Sequence, residues 1–125
     1  MRHFFLILLI VLVFIRCETP PTRECSKFRT GTFTFTTLVG TVEKTTTFVR
    51  TDMMEIDFFE GKQDTSSVRW INDCEYVLKK INPKNKAEEK SIHIKILTTS
   101  ATSYTFEYNA IGEKTKFRGT AIKKH

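Results

Sequence analysis

The segments Ile92-His93-Ile94-Lys95-Ile96 and Tyr104-Thr105-Phe106-Glu107-Tyr108 each alternate apolar and polar residues without interruption. Successive side chains of a β-strand point to opposite faces, so a period of two marks a strand with one buried and one wet face. Working outward, Phe33 and Phe35 alternate with Thr32, Thr34 and Thr36 between Phe28 and Leu38, and Gly31 marks a bulge or a close backbone approach. Gly40 supports a turn into a second strand, Val42 to Val49, which is polar on both faces until Phe48 and so weakly specified in register. The many threonines here, such as Thr45, Thr46 and Thr47, are stiff at χ1 and suit a pleated surface.

Met54, Ile56 and Phe58 alternate with Glu55 and Asp57 in a third strand, whose apolar side is expected inward and whose carboxylates are expected in solvent. Solubility then explains Glu55, Asp57 and Glu60 better than an acid and base pair does. A turn at Gly61 to Asp64 leads to a fourth strand, Ser66 to Ile71. Asn72-Asp73 reads as a hairpin turn into a fifth, Cys74 to Ile81, where Cys74, Tyr76 and Leu78 share a face. The hydrophilic stretch Asn82 to Lys90 is expected to be an exposed, mobile loop. A last strand, Lys114 to Ile122, puts Phe117, Gly119 and Ala121 inward, with Lys116 and Arg118 outside. Eight short strands with short connections predict an all-β fold, a small antiparallel up-and-down meander closing into an eight-stranded barrel, because closure removes exposed sheet edges. An open sheet or a two-sheet sandwich is the alternative.

At the start of the chain, Met1, Arg2 and His3 precede an unbroken apolar run from Phe4 to Ile15, which ends at Arg16 and Cys17. A basic head and about 7–15 apolar residues make an export signal, and the run is shorter than the roughly 18 residues of a spanning helix. Residues 1–16 are read as an export signal helix, residues 17–24, with Pro20 and Pro21, as a tether, and residues 25–125 as a single β domain. Cys17 stands where a bacterial lipoprotein is acylated, which would anchor the domain to a membrane. Phe14 and Arg16 replace the usual Leu and small residue of such a signal, so an uncleaved short anchor and ordinary secretion are the competing outcomes.

With Cys17 acylated, Cys25 and Cys74 remain to form a disulfide in an oxidising compartment, closing a loop of about fifty residues. Two buried reduced thiols are the alternative. His3, His93 and His125 are isolated, so no metal and no cofactor is expected. The formal net charge is +6, with lysines gathered at Lys79, Lys80, Lys84, Lys86 and Lys90 and at the tail, Lys123 and Lys124. A nucleic-acid binder interleaves arginines and aromatics on one face; these lysines read as solvated charge, so no nucleic-acid partner is expected. Near an anionic membrane they would add weak attraction. Ser66 and Ser67 lack a histidine at an activating spacing, and no catalytic set is assigned.

Trp70, Tyr76, Tyr104, Phe106 and Tyr108 are the best candidates to line an internal pocket, since an eight-stranded barrel is just wide enough for one small ligand. The same rings can fill such a barrel completely, and a filled core is the stronger expectation.

The segment Cys25-Ser26-Lys27-Phe28-Arg29-Thr30-Gly31-Thr32-Phe33, taken with Trp70-Ile71-Asn72-Asp73-Cys74-Glu75-Tyr76-Val77-Leu78, resembles a family of small uncharacterised exported proteins and lipoproteins of Gram-negative bacteria. The likeness covers nearly the whole mature domain, and both cysteines recur in its pattern. It implies location and fold more than activity. Some members go under the name DNA topoisomerase IV, an activity that needs a nucleotide-binding domain and a Gly-rich phosphate loop, for which this sequence has no counterpart. The Gly31 to Phe33 opening is also similar to the Gly-x-aromatic start of lipocalin-type barrels.

The expected protein is a monomeric, non-catalytic component of the cell envelope, on the periplasmic side or outer membrane. It is lipid-anchored at Cys17, or else secreted, and acts by contact with another envelope protein or the cell wall. Carriage of a small hydrophobic ligand inside the barrel is the alternative. Metabolic labelling with a fatty-acid probe is expected to mark the wild-type protein and not Cys17→Ala; label retained by the variant would place the attachment elsewhere.

Overall fold

The computed structural model describes residues 23–125. The expected signal helix, Cys17 and most of the expected tether lie outside the described residues. Eight strands follow one another: β1 (Gly31–Val39), β2 (Val42–Arg50), β3 (Met54–Phe59), β4 (Lys62–Asn72), β5 (Glu75–Lys80), β6 (Ile92–Thr99), β7 (Ser103–Ala110) and β8 (Phe117–Lys123). Each pairs antiparallel with its sequence neighbours, and β8 returns to β1, so the sheet closes as an up-and-down barrel. The closing seam is short, with Phe33, Thr34 and Phe35 opposite Lys123, Ile122 and Ala121. Main-chain bonds extend it, the Lys124 N–H donating to the Thr32 carbonyl and the Thr32 N–H to that of His125. Gly31 lies at φ +139° on this seam, where a Cβ would come within 2.6 Å of the His125 carbonyl. This is the close approach that a glycine in a strand permits.

One parity of each strand faces inward. Phe33, Phe48, Val68, Tyr76, Ile94, Ile96, Tyr104, Phe106 and Ala121 make the core, as the alternation predicts. Gly119 faces the Phe35 ring, which occupies the space a side chain would need. The third strand departs from expectation. Its alternation is as predicted, but its phase is opposite: Glu55 is only 4 % exposed and Asp57 also faces the lumen, while Phe58 lies on the outer surface. Register sets that phase, since Arg50 pairs with Glu55 and Phe48 with Asp57, and directly opposed residues share a face. On the outer face Ile56 pairs with Val49.

One end of the barrel is closed by a 3-10 turn, Cys25–Phe28, whose Cys25 and Phe28 are buried. Arg23 and Glu24 already belong to this plug rather than to a tether. The Arg23 guanidinium donates to the Ile96 carbonyl at 2.8 Å, and the Glu24 N–H to Thr99 Oγ1 at 2.9 Å. Cys25 is disulfide-bonded to Cys74. Cys74 lies in the β4–β5 turn, where its N–H donates to Asn72 Oδ1 at 2.9 Å, so the bond ties the plug to a hairpin tip. At the other end, the connection after β5 is exposed as expected but internally bonded. It contains a helical turn, α1 (Lys86–Glu89), capped by the Asn85 side chain, and Glu88 accepts from Lys80 Nζ and from the Lys84 N–H.

The disulfide spans 49 residues of sequence. On the chain-entropy account, opening such a loop destabilises the folded state by about 4 kcal/mol. Cys25→Ser and Cys74→Ser are each expected to lose about that much in chemical denaturation, and the double variant no more than either single one; additive losses would mean that the thiols act separately.

Candidate functional site

Arg50 ends β2 two residues after Phe48, so its side chain follows that of Phe48 into the barrel, where it is 1 % exposed. A guanidinium has five N–H donors, and burial is tolerable only if each finds an acceptor. Here all do. Nε donates to the Arg29 carbonyl at 3.2 Å, and Nη2 to the Phe28 carbonyl and the Tyr104 hydroxyl, each at 3.0 Å. Nη1 donates to the Tyr76 hydroxyl at 2.6 Å and to Glu55 Oε1 at 3.2 Å. The cation also lies over the Tyr76 and Phe33 rings, 4.6 and 4.8 Å from their centroids, where ring quadrupoles favour positive charge. Arg50 therefore forms a floor across the barrel, resting on the plug and holding two tyrosine hydroxyls and one carboxylate above it.

Above this floor lies a cavity of about 260 Å³, walled by Phe35, Thr46, Phe48, Glu55, Asp57, Tyr76, Leu78, Ile92, Ile94, Tyr104, Phe106 and Tyr108. Four of the five aromatic residues singled out from the sequence, Tyr76, Tyr104, Phe106 and Tyr108, stand in its wall. Trp70 does not: it packs beside Tyr76, ring centroids 4.5 Å apart, under the Arg29 guanidinium. Its Nε1 is buried without a hydrogen-bond partner among the described residues. The polar members, Arg50, Glu55 and Asp57, are the ones that a reading of alternation alone assigns wrongly or passes over. The available signal is phase, since Arg50 continues the inward parity of Phe48 and a buried cation calls for an acid at the facing position of the next strand.

The electrostatics follow from two carboxyls beside one guanidinium. Burial pushes the Glu55 carboxyl up to about 8, with Arg50 opposing the shift and Asp57 adding to it. Burial likewise raises the Asp57 carboxyl, which lies beside Glu55 in the cavity wall. Glu55 is thereby favoured to keep its proton near neutral pH, next to the Asp57 carboxyl and the Arg50 guanidinium. Burial raises both Tyr76 and Tyr104, so these hydroxyls stay protonated. Among the described residues, no group of three or more His, Cys, Asp or Glu is placed to hold a metal ion.

A folded carboxyl near 8 keeps its proton where the unfolded chain, near 4.5, has lost it. Between those values the folded state binds more protons than the unfolded, so its stability falls as pH rises, by at most about 1.4 kcal/mol per pH unit. The denaturation midpoint is expected to drop between pH 5 and pH 8, and Glu55→Gln, which keeps an oxygen for Arg50 but no titratable proton, is expected to flatten that slope. An equally steep profile in the variant would assign the proton elsewhere. No family model, no curated protein and no solved structure matches this chain, so the geometry of the lumen carries the functional reading.

Proposed function

We propose that the barrel is a non-catalytic carrier that holds one small, largely apolar molecule in its lumen, and that the chain is exported and tethered to the envelope membrane through Cys17. The observation that supports it is the cavity itself. Its walls carry rings large enough to fill a barrel of this size, yet they stand around about 260 Å³ of space. Binding sites are typically such apolar concavities with a few placed polar groups, and an eight-stranded barrel with a closed floor has one entrance. The Cys25–Cys74 bond favours an oxidising compartment, in keeping with export.

A second reading, contact with an envelope protein, draws on the tip of the β1–β2 hairpin. Leu38, Val39 and Val42 are there 66 %, 55 % and 55 % exposed, an unusual cost for so small a tip. It is compatible with carriage, because the hairpin lies at the mouth rather than in the lumen.

Native mass spectrometry of the protein purified from its own envelope tests the carrier reading. The wild type is expected to show an added small mass that leaves on unfolding, and Leu78→Trp, which puts an indole into the cavity, is expected to lack it. A bare mass in the wild type would refute the reading.

A further inference from the structure

The lumen is chemically two-sided. In a closed eight-stranded barrel, β3 and β7 lie four strands apart, on opposite walls. β3 contributes Glu55 and Asp57, and β7 contributes Tyr104, Phe106 and Tyr108, with successive ring centroids 5.7 Å apart. An acidic wall therefore faces an aromatic one across a space that, at the roughly 30 Å³ of a liquid water molecule, holds on the order of eight or nine non-hydrogen atoms.

Charge decides what chemistry suits this space. The floor cation, Arg50, has all its donors engaged by protein acceptors and offers nothing to an anionic ligand. Lys80, inward at the mouth, is already held by Asp64 and Glu88. Two lumen carboxyls then stand against one guanidinium, and the surplus negative charge is cancelled either by a proton or by a cation that enters from outside. Resting on the carrier reading above, we propose that the lumen binds a small primary amine as its ammonium ion, the nitrogen against Asp57 and Glu55 and the apolar body among the Tyr104, Phe106 and Tyr108 rings. Binding displaces the proton that Glu55 holds, so uptake is favoured at neutral to mildly alkaline pH and release by acid. The charged and titratable groups that face this pair are Arg50 from β2, Asp64 from β4, Tyr76 and Lys80 from β5, and Tyr104 and Tyr108 from β7.

Isothermal titration of the full chain with 2-phenylethylamine, 2-phenylethanol and phenylacetate separates the possibilities by charge at nearly constant shape. The amine is expected to bind about tenfold or more tighter than the alcohol, phenylacetate to bind weakest, and the amine alone to release a proton, read from buffers of different ionisation enthalpy. Asp57→Asn is expected to reduce amine affinity about tenfold and leave the alcohol within about twofold. Should that variant not fold, the wild type still decides, because its amine affinity is expected to rise between pH 5.5 and 8 while that of the alcohol stays level. An alcohol bound as tightly as the amine, or a preference for phenylacetate, would overturn the ammonium proposal and leave the carrier reading intact. No binding by any of the three would also overturn it, and the mass measurement then shows whether carriage falls with it.

Discussion

A guanidinium buried in a barrel of about a hundred residues is the constraint on which the rest of this structure depends. Taking such an ion out of water costs several kcal/mol unless every donor is met, and leaving its partners unpaired typically costs about 3–5 kcal/mol. Arg50 meets that requirement from four separate places. The plug supplies the Phe28 and Arg29 carbonyls, β3 supplies Glu55, and β5 and β7 supply the Tyr76 and Tyr104 hydroxyls. Each acceptor must be in register for the ion to be tolerable. The same bonds therefore position the plug, orient two core rings and set the phase of β3.

That arrangement divides the barrel into two halves with different physics. Below the floor, the 3-10 turn, its disulfide and the Trp70 ring close the end, and the polar atoms are nearly all engaged. Above it, the rings of β1, β2 and β7 pack against one another along the wall, Phe35 and Phe106 with centroids 5.4 Å apart, and leave a cavity between themselves and the β3 carboxyls. Filling the lumen completely would bury Glu55 and Asp57 against hydrocarbon, with no water and no counter-charge for the second carboxylate. The space and the paired acids are thus two expressions of one cause, and the raised proton affinity of Glu55 is its electrostatic signature.

Much of the fold is legible in local sequence because a strand's face is written in its alternation. Ile92 to Ile96 and Tyr104 to Tyr108 place their apolar residues in the core as read, and Phe33, Ala121 and the approach at Gly31 follow the same logic. The site is less legible. Met54-Glu55-Ile56-Asp57-Phe58 alternates equally well in either phase, and hydrophobicity favours the one that the barrel rejects. What reverses it is the demand of Arg50 for an anion at the directly opposed position, a pairing across the β2–β3 hairpin. Trp70 has the parity of a lumen residue, but its height along β4 places it beside Tyr76 and beneath Arg29, away from the cavity.

By itself the sequence determined strand number, antiparallel order and the inward parity of most strands, since these rest on period-two patterning and on turn residues that act over a few positions. The proximity of Cys25 and Cys74, the inward turn of Glu55 and Asp57, and a lumen that is acidic on one wall and aromatic on the other were decided only when the sheet closed. Closure brings together residues from β2, β3, β5 and β7, and the energy of a buried charge depends on those long-range neighbours rather than on anything adjacent to it in the chain.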